Sequence, residues 1–384
     1  MNSAQPIAPA RADADEQFLD TVTGIADGPL AGLANRIDQE GYYPLDIMAQ
    51  LGQAGALGAH LDGNGQRFDL AIAAMQRVSR RCGTTGFLVW AHQVCGLYLE
   101  QSGNPALSGE RLAAHSQGLR FGGTALSNPM KALSGIERMA LVATPDGDGY
   151  RVNGVLPWVS HIGAGQYCGA LAAVRDAQGN DLGEIMFLLD CDDQVELRQC
   201  PAFAGMEGSS TWGIRLNDYP VTPERIIASP ARPFIARIRG GFILLQVGMA
   251  LGVAEGALES MIDVEGQLGH VNQFLDDRPA QLQAELADMT QRLATLARTP
   301  YDPCQDYLLD VLDLRAQGAE FALRAAQSAM LHQGARGYVL SAAAQRRLRE
   351  AQFVGIVTPA IKHLRWEMDQ LSREQWPQPR EGAQ

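Results

Sequence analysis

The stretch GMEGSSTWGIRLNDYPVTPERII, residues 205–227, passes from small residues to an alternation of apolar and polar side chains. Its apolar members Ile214, Leu216, Tyr219 and Val221 are spaced mostly two apart, and a Thr-Pro pair follows them. A spacing of two is typical of a β-strand with one buried face, and a proline-containing turn ends such a strand. The stretch therefore predicts one strand between two turns.

Further β-rich segments precede this strand. They read RMALVATPDGDGYRVNGVLPWVS, CGALAAVR and EIMFLLD, and they are separated by Asp-Gly, Asn-Gly and other glycine-containing turns. Branched and aromatic residues favour strands, whereas Asp-Gly and Asn-Gly favour tight hairpin turns. We therefore predict a β domain over residues 119–230.

Helical patterns lie on both sides of this β domain. Before it, apolar residues recur at intervals of three and four, as in PLDIMAQLGQAGAL, residues 44–57. After it, segments such as FILLQVGMALGVAEGALESMIDVEG are rich in alanine, leucine and glycine, as in buried helices. We predict an N-terminal helical domain over residues 1–118 and a C-terminal helical bundle over residues 231–384. The polar, proline-containing tail from residue 374 is expected to fray.

The composition indicates a globular protein and excludes some classes of binding partner. The chain has 384 residues, of which 46% are hydrophobic, and its formal net charge is -12. Nucleic-acid binding needs a concentrated basic surface, whereas the lysines and arginines here are scattered. We therefore expect no nucleic-acid partner, and for the same reason no membrane partner.

The cysteines and histidines give no sign of a metal site. The six cysteines form no C-x-x-C pair, and the seven histidines show no metal-ligand spacing. The N-terminus has no apolar signal core, and we find no apolar run of the roughly 18 residues that span a bilayer. We expect a cytoplasmic protein with reduced thiols and without a metal.

Four stretches, spread in order over much of the chain, form a recognisable set of motifs. They are TALSNP, GDGYRVNGVLPWVSHIG, the opening stretch and HQGARGYVLSAAAQRRLREAQ. Together they resemble the acyl-CoA dehydrogenase superfamily of flavoproteins. TALSNP stands at the position of that family's Thr-Glu-Pro flavin loop. The last matches the family's Gly-Gly-x-Gly-Tyr and Arg-Asp-Ala elements. The resemblance implies an α+β fold with an N-terminal helical domain, a middle β-barrel-like domain and a C-terminal four-helix bundle.

The resemblance also implies a flavin lying against the β domain. It maps the wall of the flavin site onto Ser127, Trp158 and Ser160, and the serine that reaches the cofactor phosphates onto Ser134. A tryptophan covers a ring face with a flat apolar surface, and a hydroxyl near the ring tunes its hydride chemistry. The alternative is that Trp158 is a core aromatic residue and the serines merely end strands.

Two departures from the family pattern concern the cofactor. The family carries an Arg-x-x-Phe-Gly element whose arginine grips the diphosphate of FAD, but this chain reads GHVNQFLDDRP, with Phe274 retained and only Arg278 near. In the glycine element Ala335 replaces one glycine, which leaves Gly334 and Gly337 for close approach to the cofactor. We expect FAD, with FMN or weak binding as the alternatives.

The third departure concerns the catalytic base. In common dehydrogenases of the family a carboxylate nine residues after the arginine of Arg-Asp-Ala removes a substrate proton, and the same count from Arg349 reaches Thr358. The pKa of a threonine hydroxyl is far too high for this role near neutral pH. Pro359 and Ala360 follow, so the whole loop differs. A simpler interpretation is that Thr358 caps a last helix that begins at Pro359.

Other residues are candidates for the missing base. His92 lies in the apolar segment GFLVWAHQVCGLYL, where the family helix passes beneath the substrate, although a lone histidine there is more often a hydrogen-bonded core residue. His161 and His363 are weaker candidates. Glu255 and Glu259, four residues apart, are expected to form a solvated helix face.

Three functions remain as alternatives. The first is a flavin-dependent oxidoreductase like the acyl-CoA dehydrogenases, with Thr358 in place of the base glutamate, a small molecule or acyl thioester as substrate and an electron-transfer partner. The second is a flavin monooxygenase of the group that shares this fold, which receives reduced flavin from a separate reductase and uses O2. The third is a non-catalytic assembly or binding protein. In each case we expect a homodimer or homotetramer.

Overall fold

The computed structural model describes residues 9–375, so residues 376–384 of the predicted frayed tail lie outside it. Within the described part, every strand lies between Gly122 and Ala228, and long helices precede and follow the strands. The predicted α+β fold, with helical, β and helical segments in that order, is confirmed. The domain boundaries at residues 118 and 230 remain predictions.

Seven α-helices precede the sheet in the described residues. They are α1 (Pro9–Ile25), α2 (Ala31–Gln39), α3 (Leu45–Gln53), α4 (Phe68–Arg81), α5 (Gly83–Gln101), α6 (Pro105–Ser108) and α7 (Glu110–Ser116). Helix α5 is buried from Gly83 to Leu99. Because it is apolar on every face, it needs cover on every side, and α4, the sheet and the first C-terminal helix provide that cover.

The strands of residues 9–375 number eight, and they form one sheet. In chain order they are β1 (Gly122–Thr124), β2 (Leu141–Asp146), β3 (Gly149–Val159), β4 (Tyr167–Arg175), β5 (Asp181–Asp190), β6 (Val195–Gln199), β7 (Trp212–Val221) and β8 (Ile226–Ala228). Their order in the sheet is β6-β7-β3-β2-β4-β5-β8, with β1 beside β4. Strand β4 pairs in parallel with β1 and β2, and the other pairs are antiparallel. The strand predicted from the opening stretch is β7.

The two faces of the sheet join different cores. Ala170 on β4 and Phe187 on β5 are cross-strand partners, and both lie in an apolar core that belongs to the sheet alone. Their neighbours Leu171 and Leu188 point the other way, because side chains alternate along a strand, and they pack into the core of the helices. Strands β4 and β5 therefore fix the sheet against the helices. A short helix, α8 (Ser127–Leu133), follows β1 at this junction.

Five α-helices follow the sheet in the part of the chain that the structure describes. They are α9 (Ala231–Asn272), α10 (Pro279–Leu296), α11 (Gln305–Gln333), α12 (Ala343–Ile356) and α13 (Ile361–Gln375). Helix α9 packs on both α4 and α11, and so joins the two helical parts of the chain. Helices α12 and α13 are two halves of one segment that is interrupted at residues 357–360. Counted as one interrupted helix, they complete the predicted four-helix bundle.

Helix α9 differs from the expectation that no segment is apolar enough to span a membrane. By length and composition it could cross a bilayer, but 94% of its apolar window is buried inside the protein. A core helix that is covered on all sides has the same composition as a membrane helix. The burial of α9 accounts for its composition without a membrane.

Candidate functional site

The interruption between α12 and α13 brings two predicted site residues into contact. The Oγ1 atom of Thr358 lies 3.0 Å from the Oγ atom of Ser127, which begins α8 after strand β1. Ser127 is exposed and Thr358 is half-buried. Two hydroxyls therefore meet at the loop, and either of them can donate the hydrogen bond. Neither hydroxyl can act as a base near neutral pH.

Thr358 does not cap the last helix, so that prediction is wrong. The N–H groups of His363 and Leu364 donate to the carbonyl of Ala360, and α13 begins only at Ile361. Proline has no N–H group and disfavours helical geometry in the residue before it, which explains why α12 ends before Thr358. The Thr358 side chain is thereby free to bond Ser127.

Two buried residues hold the Thr358 loop from behind. The Nε2 atom of Gln246 on α9 donates to the carbonyl of Thr358 at 3.0 Å, and its Oε1 atom accepts from Nε of Arg315 at 2.7 Å. Arg315 on α11 also donates to the carbonyl of Val354 near the end of α12, at 2.8 Å. Both side chains are fully buried. The loop is therefore fixed by a network that reaches three helices.

The charge of Arg315 has no carboxylate partner among the described residues. Burial alone lowers its pKa, to about 10, so the guanidinium stays protonated at neutral pH. Its Nη1 atom has no hydrogen-bond partner among these residues. The sequence-based predictions did not include Arg315 and Gln246. The single glutamine in FILLQVGMAL is a signal that could have identified Gln246, whereas Arg315 lies among other charged residues in DVLDLRAQGAE and gives no such signal.

Trp158 and Ser160, the residues predicted to form the flavin wall, lie at the end of strand β3. The Trp158 side chain is 61% exposed, so it is not a core aromatic residue. Its only ring contact among the described residues is edge-on with Phe203, at 6.5 Å between centroids. Ser160 shares a 2.6 Å hydrogen bond with Thr211. The end of β3 thus presents a flat apolar surface beside a pair of hydroxyls.

Ser134 lies in a cluster of charged side chains. Its hydroxyl donates to Oε1 of Glu367 at 2.8 Å and lies 3.0 Å from Nε2 of His363, and Arg239 of α9 pairs with the same carboxylate. Burial opposes ionisation of Glu367, but the hydrogen bond from His363 and the charge of Arg239 offset it and lower the pKa of Glu367. A carboxylate in contact with Ser134 does not favour a phosphate there.

Gly334 and Gly337 lie in a 3₁₀ turn after α11, away from these clusters in the sequence. Gly334 has φ +59, and a Cβ atom there would meet nothing within 4 Å. Gly337 is buried, and a Cβ atom would lie 2.7 Å from the Cβ of Gln333. The close approach at Gly337 is therefore made by the turn itself. A contact of either glycine with a cofactor remains a prediction.

His92 is enclosed in the core. Its ring stacks on that of His115 at 3.6 Å, its Nε2 atom lies 2.9 Å from the carbonyl of His115, and Nε2 of His115 lies 2.8 Å from the carbonyl of His92. Burial lowers the pKa of His92 to about 4, so the ring is neutral. These contacts agree with the core alternative, and a catalytic role for His92 remains a prediction.

His161 is also fully buried, next to Ser160. Its Nδ1 atom lies 2.8 Å from the hydroxyl of Tyr43, and its Nε2 atom has no partner among the described residues. Burial and then the neighbouring His92 hold the pKa of His161 well below its ordinary value. The ring is therefore neutral.

The prediction that Glu255 and Glu259 form a solvated face of α9 is wrong. Glu255 accepts from Gln76 at 2.7 Å, and Glu259 pairs with Arg80 and Arg81 of α4, so both carboxylates face another helix. Periodicity along α9 cannot show this, because the partners come from a distant segment. In the same way Arg278, the arginine nearest to the place of the missing diphosphate arginine in the sequence, pairs with Glu265. Within the described residues no group of histidine, cysteine or acidic side chains could hold a metal.

Known proteins match this chain along most of its length. Residues 12–118 match the family model described as acyl-CoA dehydrogenase, N-terminal domain. The probable acyl-CoA dehydrogenase YngJ of Bacillus subtilis is 24% identical over 352 residues, which cover 87% of this chain and 91% of YngJ.

Solved structures share the fold. Butyryl-CoA dehydrogenase from Megasphaera elsdenii superposes with a TM-score of 0.78 at 19% identity, covering 96% of this chain and 99% of that one. The dibenzothiophene monooxygenase TdsC from Paenibacillus sp. A11-2 has, in its FMN-bound form, a TM-score of 0.78 at 13% identity, covering 94% and 97%. The sequence matches and the shared fold agree with the predicted resemblance. Residues 12–118 of the chain thus match the N-terminal domain of the acyl-CoA dehydrogenases, and the whole chain has the fold of that family.

Proposed function

We propose that the protein is a flavin-dependent oxidoreductase that works without a carboxylate base at the interruption between α12 and α13. The observation that carries this proposal is the contact between the hydroxyls of Ser127 and Thr358, at the position where the family resemblance places a glutamate. A hydroxyl does not take up a proton near neutral pH. Reactions that start by removing a substrate α-proton are therefore disfavoured at this site.

The surroundings fit the ring of a flavin. Trp158 offers an exposed flat face, and the hydroxyl pairs Ser160–Thr211 and Ser127–Thr358 offer donors and acceptors for polar ring atoms. When bound, the flavin supplies two-electron redox chemistry. Trp158 would cover one face of the ring and exclude water from it, and the hydroxyl pairs would hold its polar edge.

The surroundings do not fit the diphosphate half of FAD. Ser134 is bonded to the carboxylate of Glu367, and Arg278 is paired with Glu265. A diphosphate at either place would meet a negative charge or an arginine that is already neutralised. We therefore propose FMN as the cofactor, in line with the FMN-bound state of the fold neighbour TdsC.

Oxygenation is the reaction that this site supports best. Reduced FMN from a separate reductase, O2 and substrate would give oxidised FMN, the oxygenated substrate and water, which balances atoms and electrons. The step needs no α-proton removal by Thr358. The hydroxyls of Ser127 and Thr358 would orient the substrate, while Gln246 and Arg315 keep the loop in place. The monooxygenase among the fold neighbours supports this choice.

A second candidate is dehydrogenation with an electron-transfer partner. The observation that favours it is the match to an acyl-CoA dehydrogenase along 87% of the chain. It requires a base elsewhere in the pocket. Burial lowers the pKa of His92 to about 4 and holds the pKa of His161 well below its ordinary value. Both rings are therefore weak bases, which weighs against them in that role.

The first experiment is flavin binding. FMN and FAD are titrated separately into the purified protein, and quenching of flavin fluorescence gives the two dissociation constants. We expect saturable binding of FMN, with no gain in affinity for FAD. Tighter binding of FAD would contradict the mononucleotide assignment, and no binding of either flavin would contradict the oxidoreductase itself.

A further inference from the structure

A second cleft, of about 250 Å³, lies apart from the flavin wall, between the start of α2, the end of α4 and the start of α12. Its lining includes Asn35, Arg81, Ser341, Arg346 and Arg347. The remaining lining residues are alanine and glycine, and no carboxylate lines the cleft. None of the residues that we assign to the flavin takes part in it. We call it the arginine cleft.

The arginines of this cleft are held in fixed positions. The side chain of Arg346 is only 7% exposed, and its two Nη atoms donate to Oδ1 of Asn35 at 3.0 Å and to the carbonyl of Arg81 at 2.9 Å. The side chain of Arg347 is 6% exposed and donates to Oγ of Ser260 at 2.7 Å. These acceptors are neutral and use only some of the five N–H groups of each guanidinium.

The charges around the arginine cleft do not cancel. Among the described residues, four guanidiniums share three carboxylates, which leaves one positive charge. The guanidiniums are those of Arg80, Arg81, Arg346 and Arg347, and the carboxylates are those of Asp27, Glu259 and Glu350. All three carboxylates contact the arginines from outside the lining. Burial, the largest influence, lowers the pKa of Arg347 to about 10, so it too is protonated at neutral pH.

The first turn of α12 adds to this positive potential. The helix has 14 residues, and the residue before it, Ala342, has no side chain that could accept from the free N–H groups of the first turn. Ala343 at its start lines the cleft. The N-terminal end of a helix favours negative charge, and so it acts in the same direction as the three arginines.

We propose that the arginine cleft binds a phosphoryl group. Rigid, planar guanidiniums match the oxygens of phosphate, and buried ones lose little side-chain entropy on binding. Asn35 and Ser341 supply neutral polar groups at the rim. The phosphoryl group comes either from inorganic phosphate or from a nucleoside monophosphate, and both present the same oxygens. The site is independent of the flavin reaction, because it shares no residue with it.

The test uses a variant that fills the cleft with negative charge. Gly32 lines the cleft, is exposed and helical, and has open space around an added Cβ atom, so Gly32→Glu should fold and direct a carboxylate towards the arginines. Gly24→Glu is the matched control, since Gly24 on α1 has the same open space but does not line the cleft. Arg346→Ala is less suitable, because it also removes the bonds to α2 and α4.

Isothermal titration of the parent and of both variants with inorganic phosphate and with AMP gives the result. We expect the parent and Gly24→Glu to bind, and Gly32→Glu to bind at least about tenfold more weakly, which is about 1.4 kcal/mol. Tighter binding of AMP would identify a nucleotide, and equal affinities would identify free phosphate. The proposal is overturned if the parent binds neither ligand at millimolar concentration, or if both glutamate variants bind equally. FMN titration of the same proteins reports on the flavin site separately.

Discussion

The hydroxyls of Ser127 and Thr358 face each other 3.0 Å apart, in front of a backbone that Gln246 and Arg315 hold from behind. The buried side chains behind the loop hold it rigidly. The two hydroxyls in front of it are polar but carry no charge. A site of this kind can orient a substrate and exclude water, but it cannot remove a proton.

Gln246→Leu is expected to lower the free energy of unfolding by about 1 to 3 kcal/mol, because the buried Arg315 loses an acceptor and the Thr358 carbonyl loses a donor. Urea unfolding of the variant and the parent measures the change. Gln352→Leu, at an exposed position of α12, is the control for the same substitution. Equal stability of the two variants would show that the network does not hold the loop.

Trp158→Ala is expected to weaken FMN binding by about 1 to 3 kcal/mol, because a large flat contact surface is removed. The dissociation constant from fluorescence quenching measures the effect. Trp366→Ala, on a partly exposed tryptophan of α13, is the control. If both variants bind FMN like the parent, Trp158 is not part of the flavin wall.

At the scale of elements, the cluster of Ser134, His363, Glu367 and Arg239 joins the end of α8 to α13 and α9. These residues come from three separate parts of the chain. Their contacts therefore stabilise the packing of α13 against α8 and α9. We infer that Ser134 stabilises this junction and does not bind a cofactor phosphate.

Ser134→Ala is expected to leave the FMN dissociation constant unchanged within about twofold, while lowering the free energy of unfolding by about 1 kcal/mol through the lost hydrogen bond. FMN titration and urea unfolding of the same preparation separate the two effects. Weaker FMN binding at unchanged stability would instead place a phosphate at Ser134.

The same junction should weaken in acid. Because the pKa of Glu367 is lower in the folded state than in the unfolded state, its contribution is fully present above the ordinary pKa of 4.5. The contribution is lost as the pH falls through the lower, folded pKa. Between pH 7 and the acid range, the parent should therefore lose more stability than Glu367→Gln. If the parent and Glu367→Gln lose the same amount of stability over this pH range, the lowered pKa of Glu367 is contradicted.

The fold could be predicted from local patterns, but much of the site could not. Strand β7 follows from the alternation of Ile214, Leu216, Tyr219 and Val221, and the interruption follows from Pro359, because both are local properties of the sequence. The bond between Ser134 and Glu367 joins residues far apart in the chain, and no local pattern encodes it. Glu255 and Glu259 were misassigned for the same reason.

At the scale of the whole molecule, large apolar side chains remain exposed near one end of the C-terminal bundle. Phe274 is 83% exposed and Tyr338 is 79% exposed, and Val271, Leu331, Val339 and Leu340 are also exposed. Clustered exposed apolar residues mark contact surfaces, because water contact of such groups is unfavourable. We propose that these residues mediate self-association of the chain.

Phe274→Glu is expected to shift the protein to a smaller assembly, because a charge would be buried at the proposed contact. Sedimentation velocity at several protein concentrations measures the assembly. Leu119→Glu, which introduces the same charge at an exposed leucine outside this group of residues, is the control. A parent that sediments as a monomer, or a Phe274→Glu variant with the parent's assembly, would refute this surface as the contact.

We propose that the loop at Thr358 supports chemistry without a carboxylate base. This proposal is tested most directly by anaerobic bleaching of bound flavin with a panel of acyl-CoA thioesters, using the parent and Thr358→Glu. We predict little or no bleaching in either protein, because Pro359 and Ala360 have also changed the loop and a misplacement of about 1 Å can cost roughly 100-fold in rate. Bleaching of the parent would show that another base serves dehydrogenation. Strong bleaching of Thr358→Glu alone would show that the pocket is an ordinary dehydrogenase site that has lost only its glutamate.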